Sequence, residues 1–334
     1  MYVASGAGSA ASCSQSDPCS LPTAISRAVV STPQPLVRML PGAYNAQLNL
    51  ESVTNEPLRV VATGATMVAT VGAGGPITVV KGGRLEFRSG ALLGGMFCGT
   101  PSSPRSRLAL RDVSIQQTGW NGVNCDFEIL RADITLTGSI TTGDDFTLVF
   151  DRVRMRAVAR SSLIQMNGQR GKVRVTNSIL EDMNFSAECS SACNNSFEMA
   201  FSTVVLDQAL DAQLLGCADT NAVPGTWSAS YENNIFASIG PPPPLGGNVF
   251  RGKSVNCTLR NNIMFPQPTP IAGNPAVDPQ FVNVAGRDYH LMPASPARDA
   301  AVPSSANLGT DHDLEGTARP QGPRSDLGAY ELAP

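Results

Sequence analysis

Charged residues, histidines and long apolar runs are all scarce in this chain of 334 residues. Charged side chains make up 15% of it, against about 25% in an average soluble domain. The 24 basic residues nearly balance the 27 acidic ones, so we predict no nucleic-acid partner. Two histidines are too few for a multi-histidine metal centre. Because no apolar run approaches the roughly 18 residues of a transmembrane helix, we also predict no membrane span.

Helical periodicity is nearly absent, with one exception at 20–31. Ser20 is a suitable N-cap and Pro22 suits the first helical turn. Apolar residues then recur on one side between Ala24 and Val29. We therefore predict one short amphipathic helix, which would cap the N-terminal end of a domain rich in strands.

The eight cysteines indicate the compartment of the protein. Cys13 and Cys19 flank one short polar loop, and Cys189 and Cys193 flank another, so we predict a disulfide across each loop. An even number of cysteines in a loop-rich chain favours an oxidising compartment; buried reduced cysteines are the alternative. The residues after Met1 are typical of a mature start, so we expect an extracellular or cell-surface protein whose signal peptide is not present in this chain.

Pairs of apolar residues separated by one polar residue recur at steps of 19 to 21 residues. This alternation is typical of a strand with one buried face. The pairs are Val113 and Ile115, Ile134 and Leu136, Val153 and Met155, and Val173 and Val175. In a second set of repeats, Asn177, Ser202, Asn233 and Asn261 occupy equivalent places. A period of about 20 to 30 residues predicts a solenoid, and the lack of a leucine consensus favours an all-β parallel β-helix.

Both ends of the chain carry short motifs. The N-terminal motifs are YVASGAGS (2–9), PCSLPTAISRA (18–28) and LPGAYN (40–45). The C-terminal motifs are DPQFV (278–282), DYHL (288–291), SPARD (295–299), DHDLEGTARP (311–320) and DLGAYE (326–331). The first set resembles the opening of secreted, pectate-lyase-like β-helix proteins, and the second resembles the terminal segment of the choice-of-anchor Q group.

This resemblance implies a right-handed parallel β-helix that is secreted or displayed at a bacterial surface. Relatives of the group include polysaccharide lyases and hydrolases, while many members have no demonstrated activity. The motifs therefore identify a fold and say little about chemistry. We expect a β-helix with its N-terminal cap over 1–273 and a terminal segment over 274–334 that packs on it.

The sharpest functional feature is a run of cations, since residues 152–174 contain no acid. If the apolar pairs point inward, their neighbours point outward on strands about 4.8 Å apart. Five cations would then gather on two adjacent rungs: Arg152, Arg154, Arg156, Lys172 and Arg174. Guanidinium and ammonium groups suit the carboxylates of an acidic polysaccharide. Asp112 and Asp133 would lie on the two preceding rungs.

A lyase that acts by β-elimination needs a base and a group that offsets the carboxylate charge. Lys172 is the easier base because lysine shifts its pKa readily, and the resemblance to lyases adds Arg154 and Arg174 as alternatives. Asp112 and Asp133 are candidate ligands for Ca²⁺, the one cofactor that the pattern suggests. Cross-strand pairing of these same charges on a solvated sheet is the competing interpretation.

Two further features are candidates for substrate binding. Asp144 and Asp145 follow Gly143 in a stretch that resembles the catalytic Gly-Asp-Asp of pectinase-like hydrolases. No histidine precedes His290, however, so a plain turn is the alternative. Trp120 lies in a glycine-rich stretch where its ring could stack on a sugar or pack inside the protein.

Two hypotheses from different classes remain. The first is a secreted protein that binds, and in its stronger form cleaves, an acidic polysaccharide along an outer sheet. The second is a non-catalytic surface or adhesin module. The row of cations favours the first hypothesis, and the lack of a complete acid–base set favours the second. We expect a monomer in either case.

Overall fold

A computed structural model of the chain describes residues 1–8, 12–52, 56–68, 75–158, 163–187, 194–206, 228–239, 257–266, 271–303 and 310–333. The chain divides into two compact units, residues 1–148 and 149–334. Parallel strands dominate both, which confirms the predicted all-β parallel β-helix with one short helix. Within the ranges given above, no helix is long and apolar enough to cross a lipid bilayer.

The first unit consists of one helix and short strands. In chain order these are β1 (Tyr2–Val3), α1 (Leu21–Val30), β2 (Val37–Met39), β3 (Gly42–Tyr44), β4 (Leu48–Leu50), β5 (Leu58–Val61), β6 (Ala65–Val68), β7 (Ile77–Val79), β8 (Arg84–Arg88), β9 (Ala91–Leu93), β10 (Met96–Cys98), β11 (Ser106–Gly122) and β12 (Cys125–Thr142). The division between the units falls within β13 (Phe146–Ala157).

The second unit continues the same architecture and ends in a hairpin. Its strands are β14 (Leu163–Met166), β15 (Lys172–Thr176), β16 (Ile179–Glu181), β17 (Asn184–Ala187), β18 (Ser196–Ala200), β19 (Thr203–Leu206), β20 (Ser228–Glu232), β21 (Ile235–Ser238), β22 (Cys257–Arg260), β23 (Ile263–Phe265), β24 (Phe281–Asn283) and β25 (Asp288–Leu291). Strands β24 and β25 pair in antiparallel fashion, whereas β15, β18, β20 and β22 pair in parallel.

Helix α1 begins and ends as predicted. The hydroxyl of Ser20 accepts a hydrogen bond from the backbone N–H of Thr23 at 3.4 Å, and Ser31 is the C-cap. The apolar side of the helix is buried against β1, β2 and β4. Its buried residues are Leu21, Ala24, Ile25 and Ala28.

Apolar residues stack in columns inside each unit. In the first unit Leu58, Leu85, Leu108 and Phe127 occupy one register position on successive coils, and all four are buried. Because neighbouring residues in a strand point to opposite faces, the residues that flank this column point outward. The pattern of strand β8 shows this, since Leu85 and Phe87 are buried between more exposed neighbours.

A residue with left-handed backbone marks one bend of each coil, directly before the next short strand or strand section. The first unit has Ser89, Asp112 and Arg131 there, and the second has Arg152, Asn177, Phe201, Asn233 and Asn261. Their φ angles lie between 48° and 59°. Asparagine and aspartate tolerate this conformation better than most residues, which explains the asparagines that recur in the sequence.

The second unit contains a buried ladder of polar side chains, which we call the amide ladder. Its members are Ser178, Ser202, Asn234, Asn262 and Asn274. The side-chain oxygen of each later member accepts a hydrogen bond from the backbone N–H of the member before it, at 2.9 to 3.2 Å. The sequence pattern aligns Asn177 with Ser202, and this alignment is wrong by one residue. The strand register pairs Thr176 with Ala200, so Phe201 lies opposite Asn177.

The C-terminal segment covers one face of the second unit. Phe281, Tyr289, Leu291, Leu327 and Tyr330 pack in a single buried cluster with residues of β16, β19, β21 and β23. As a result, strands β16 and β19 are buried along their whole length. Their lack of alternation is expected for strands covered on both faces.

Disulfides join neighbouring parts of the chain. Cys13 and Cys19 are bonded as predicted. Cys98 and Cys125 form a second disulfide, which their spacing in the sequence does not indicate, and Cys257 is also disulfide-bonded. The predicted pair Cys189 and Cys193 lies outside the described residues.

Candidate functional site

The predicted stack of cationic rungs is wrong in its register. Strand β13 places Arg154 beside Ile179, whereas β15 places Lys172 beside Ser196. The left-handed bend at Arg152 lies between the part of β13 that precedes it and the part that carries Arg154. The expected neighbours therefore lie on different faces of the coil.

The cations of this stretch also have partners of their own. Glu198 accepts ion pairs from Lys172 Nζ at 3.1 Å and from Arg174 at 2.9 Å. Arg152 Nε lies 3.1 Å from Asp151 Oδ2. Exposed pairs of this kind contribute about 0–1 kcal/mol each, so they can be exchanged for a ligand. The roles predicted for Lys172, Arg174, Arg154, Arg152 and Arg156 in catalysis and binding stay predictions.

A second group of five cations lies on β5, β8 and β11 of the first unit. We call it the arginine face, and its members are Arg59, Arg84, Arg88, Arg107 and Arg111. Arg84 pairs in register with Arg107, and Arg88 with Arg111, so like charges stack on neighbouring coils. Three carboxylates share the face: Glu86, Asp126 and Glu128. The arginines therefore outnumber the acids.

Two of the three carboxylates of the arginine face, Glu86 and Glu128, are each shared between two arginines. Glu86 Oε1 lies 2.5 Å from Arg88 Nη2 and 2.9 Å from Arg111 Nε. Glu128 lies 2.8 Å from Arg107 Nη2 and 3.7 Å from Arg111 Nη2. Each of these acids thus contacts two guanidinium groups, which leaves a surplus of positive charge for an anionic ligand.

An open groove of about 470 Å³ lies at the bend of the same coils. We call it the Asp133 groove. Its polar groups include the hydroxyls of Thr66, Ser89 and Ser114 and the carboxylate of Asp133. Thr66, Ser114 and Asp133 share one register row with Ala91 on successive coils. The groove therefore presents small polar groups at the regular spacing of the strands.

The Asp112 carboxylate, on the edge of this groove, is held by a neighbouring guanidinium. Arg131 Nε donates to Asp112 Oδ1 at 2.6 Å, and Nη2 donates to Oδ2 at 2.9 Å. These hydrogen bonds lower the pKa of Asp112 below its usual value, and the charges of Arg88 and Arg111 add to the effect. Asp112 therefore stays ionised and fixes the Arg131 side chain.

The residues predicted to bind calcium do not fit that ion. Ca²⁺ takes about six to eight oxygen ligands, but both oxygens of Asp112 bind Arg131. In the part of the chain that the structure describes, no three or more His, Cys, Asp or Glu residues are grouped to hold a metal ion. Asp133 remains an open carboxylate of the groove rather than part of a metal centre.

Of the two other predicted binding features, the structure bears on Trp120. Trp120 is 3% exposed and lies in register between Met96 and Ile140, so the idea of an exposed, sugar-stacking ring is wrong. Its position in strand β11 turns the side chain inward. Asp144 and Asp145 form the turn before β13, and their proposed part in substrate binding stays a prediction.

Sequence reasoning missed the arginine face, although a signal was present. Arg84, Glu86 and Arg88 alternate with apolar residues, and Arg107 and Arg111 fall on one face of their strand. Residues 152–174 stand out in the sequence because they contain no acid. The arginines of the arginine face, in contrast, alternate in the sequence with acidic residues. Only the strand register shows that its cations stack.

Comparisons with known proteins support the fold. No protein-family model matches this sequence, and no curated protein matches it. Among solved structures, the crystal structure of pectate lyase Pel9A is similar, with a TM-score of 0.51 and 14% identity over 99% of this chain and 96% of that chain. At this identity the likeness shows the fold alone. The chain is thus a β-helix of the pectate-lyase-like type.

Proposed function

We propose that this protein binds an acidic polysaccharide along the arginine face and the adjoining Asp133 groove. The observation that carries the proposal is the stacking of five arginines against three carboxylates on neighbouring coils. Guanidinium groups bind carboxylates through two parallel hydrogen bonds. The fold, which is that of a pectate lyase, supports a polysaccharide as the class of ligand.

The spacing of the arginines suits a polymer. Strands on successive coils lie about 4.8 Å apart, and residues four apart on one strand, such as Arg84 and Arg88, lie about 13 Å apart. Arg84, Arg88, Arg107 and Arg111 therefore form a grid that can engage several carboxylates of one chain. Hydroxyls in the Asp133 groove add hydrogen bonds to sugar hydroxyls. Because each contact is weak and exposed, binding depends on several being made together.

Cleavage by β-elimination is the finer form of this proposal. Lys172, Arg174 and Arg154 are its catalytic candidates, and Arg152 and Arg156 its further cationic contacts. Asp112 and Asp133 are not assigned to a calcium site in this proposal, because both oxygens of Asp112 bind Arg131. We also propose an extracellular or cell-surface location, which the Cys13–Cys19 disulfide supports.

The test compares two double variants. Arg88→Gln/Arg107→Gln removes two charges from the arginine face, and Arg298→Gln/Arg324→Gln removes two from the C-terminal segment as a matched control. Binding to polygalacturonate and to its methyl ester is measured by calorimetry at two salt concentrations. We expect the first variant to lose at least about tenfold in affinity, or about 1.4 kcal/mol, and the control to be unchanged.

Two results would contradict the proposal. One is equal affinity for the acidic polymer and its methyl ester, and the other is an equal loss in both double variants. Absorbance of unsaturated products decides between the two forms of the proposal. Binding without any product identifies the non-catalytic surface module.

A further inference from the structure

A compact group of ionisable side chains lies on the second unit, and among its members only Arg154 has been given a candidate role above. The His290 ring stacks on the Tyr330 ring with centroids 3.8 Å apart and planes at 21°. Its Nδ1 lies 2.5 Å from Asp288 Oδ1, and its Nε2 lies 3.4 Å from Glu315 Oε2. The His290 side chain is 40% exposed, so a ligand can reach its outer edge.

Arg154 belongs to the same group. Its guanidinium donates a hydrogen bond to the phenol oxygen of Tyr330. Tyr330 is 2% exposed and packs in the cluster under the C-terminal segment, and burial raises its pKa to about 12. The phenol is therefore a fixed, neutral platform at physiological pH. Arg154 and His290 both contact it, so they lie side by side.

We propose that His290 and Arg154 form a catalytic site for a uronate-containing polymer, with His290 as the proton acceptor and Arg154 as the carboxylate-binding group. The inference rests on the proposed function for its class of ligand. Asp288 accepts the Nδ1 proton of His290, which leaves Nε2 as the basic nitrogen on the exposed side. The exposed Glu315 carboxylate lies beside Nε2 and must move aside when the polymer binds.

The reaction is an elimination whose atoms balance without a co-reactant. Nε2 takes the proton from the carbon next to the uronate carboxylate, while Arg154 offsets the charge that builds on that carboxylate. The electron pair of the broken C–H bond forms a carbon–carbon double bond, and the glycosidic C–O bond breaks. The leaving oxygen takes a proton from water, and His290 returns its proton to solvent.

The charged groups around His290 predict how its activity depends on pH. Asp288, Glu315, Arg154, Tyr330 and Asp313 are the ionisable groups that face this part of the unit. The hydrogen bond from His290 lowers the pKa of Asp288, so Asp288 stays ionised and keeps its partner oriented. Activity should fall only at strongly acid pH, where Asp288 becomes protonated and no longer orients the His290 ring.

The chain offers a matched control, because its second histidine also lies beside an aspartate. His312 Nδ1 is 3.3 Å from Asp311 Oδ1. We expect His290→Gln to lower the rate of unsaturated-product formation by at least about 100-fold, and His312→Gln to leave it within about twofold of the parent chain. Both variants should keep polygalacturonate binding, because the arginine face is intact. Asp288→Asn should shift the acid limb of the pH profile.

A second measurement does not depend on turnover. In His312→Gln, the one remaining imidazole C2–H signal in the proton NMR spectrum belongs to His290, and we expect it to move when a galacturonate oligosaccharide is added. Equal cleavage by His290→Gln and the parent chain overturns the inference. The inference is also overturned if the polymer binds but yields no unsaturated product and the His290 signal does not move. Loss of all polymer binding instead contradicts the proposed function, on which this site rests.

Discussion

The same part of the coil is exposed in the first unit and buried in the second. In the first unit, the strand sections that follow the left-handed bend carry Ser114 and Asp133, which are exposed and line a groove. In the second unit, the strands that follow Asn177 and Phe201 are buried along their length under the C-terminal segment. The same part of the repeat can thus line an open groove or form an internal layer, depending on what covers it.

Ion pairs show the same contrast. Arg131 and Asp112 meet at the surface, with side chains 40% and 43% exposed. Arg319 and Glu331 meet at 3.1 Å with side chains 1% exposed, and Arg319 also donates to the carbonyls of Asp326 and Gly328. The chemistry of the two pairs is alike, but the second has no access to water. Three comparisons of substitutions and one change of pH test how much this difference in burial contributes to stability.

The largest effect should come from breaking the buried pair. Arg319→Met removes a guanidinium and leaves the Glu331 carboxylate buried without its partner, which costs about 3–5 kcal/mol. Arg131→Met breaks the exposed pair and should cost about 0–1 kcal/mol. Urea denaturation followed by circular dichroism measures both. Similar costs for the two variants would show that burial does not separate these pairs.

Truncating a leucine should also cost more stability in the buried cluster of the second unit than on the open face of the first. Leu291 is 3% exposed in the cluster under the C-terminal segment, so Leu291→Ala should lower the free energy of unfolding by about 2–5 kcal/mol. Leu93 is half-buried on the open face of the first unit, and Leu93→Ala should cost clearly less. The same denaturation experiment gives the comparison. A larger loss at Leu93 would mean that the open face is covered in solution.

The amide ladder should have an intermediate effect. Asn262 Oδ1 accepts the backbone N–H of Asn234, and Asn262 Nδ2 donates to the carbonyl of Tyr231. Asn262→Ala leaves both buried groups unsatisfied and should cost about 1–3 kcal/mol. Asn121→Ala, at an exposed strand position of the first unit, is the control and should change little. A neutral Asn262→Ala would mean that water replaces the amide.

Acidity should act differently on the buried acids Asp326 and Glu331 and on Asp112. Burial raises the pKa of both Asp326 and Glu331, so these two groups bind more protons in the folded state than in the unfolded chain, and their contribution to stability rises as pH falls from neutral. In the first unit Arg131 lowers the pKa of Asp112, so its contribution persists at neutral pH and is lost only below about pH 4.

Hydrogen exchange at pH 7 and pH 5 measures this difference. Backbone amides of the C-terminal segment should gain protection at pH 5, while those of β8 and β11 should change little. A loss of protection in the C-terminal segment at pH 5 would contradict the assigned direction. It would mean that the Arg319 charge outweighs burial at Asp326 and Glu331.

The alternation of apolar and polar residues was enough to predict the fold. It was not enough to predict which side chains lie next to one another on neighbouring strands. Alternation is kept when a strand slips by two residues, so it indicates which side chains point outward and not what they stand beside. Val113 was expected beside Ile134, but the register pairs Ile115 with Ile134. For the cations of residues 152–174 the error is larger, because Val153 was aligned with Val173, whereas the register pairs the adjacent Arg154 with Ile179 on a different face of the coil.

The source of the slip is local backbone. The left-handed residues Asp112, Arg131 and Arg152 bend the chain in the middle of what reads as one continuous strand. Arginine is a poor predictor of such a bend, whereas asparagine at Asn233 and Asn261 is a good one. Helix α1, whose cap and apolar stripe are local signals, was predicted to within a residue.

The amide ladder also explains how the length of such a protein can change. In each coil a side-chain oxygen accepts a hydrogen bond from a backbone N–H of the coil before it. A duplicated coil would therefore make the same hydrogen bonds with its neighbours. Asn274 holds the last place without belonging to a strand, and its Nδ2 donates back to Ala272 at 2.9 Å. It acts as a stop that completes the final coil. Whole coils can therefore be added to or removed from the second unit while the stop is kept.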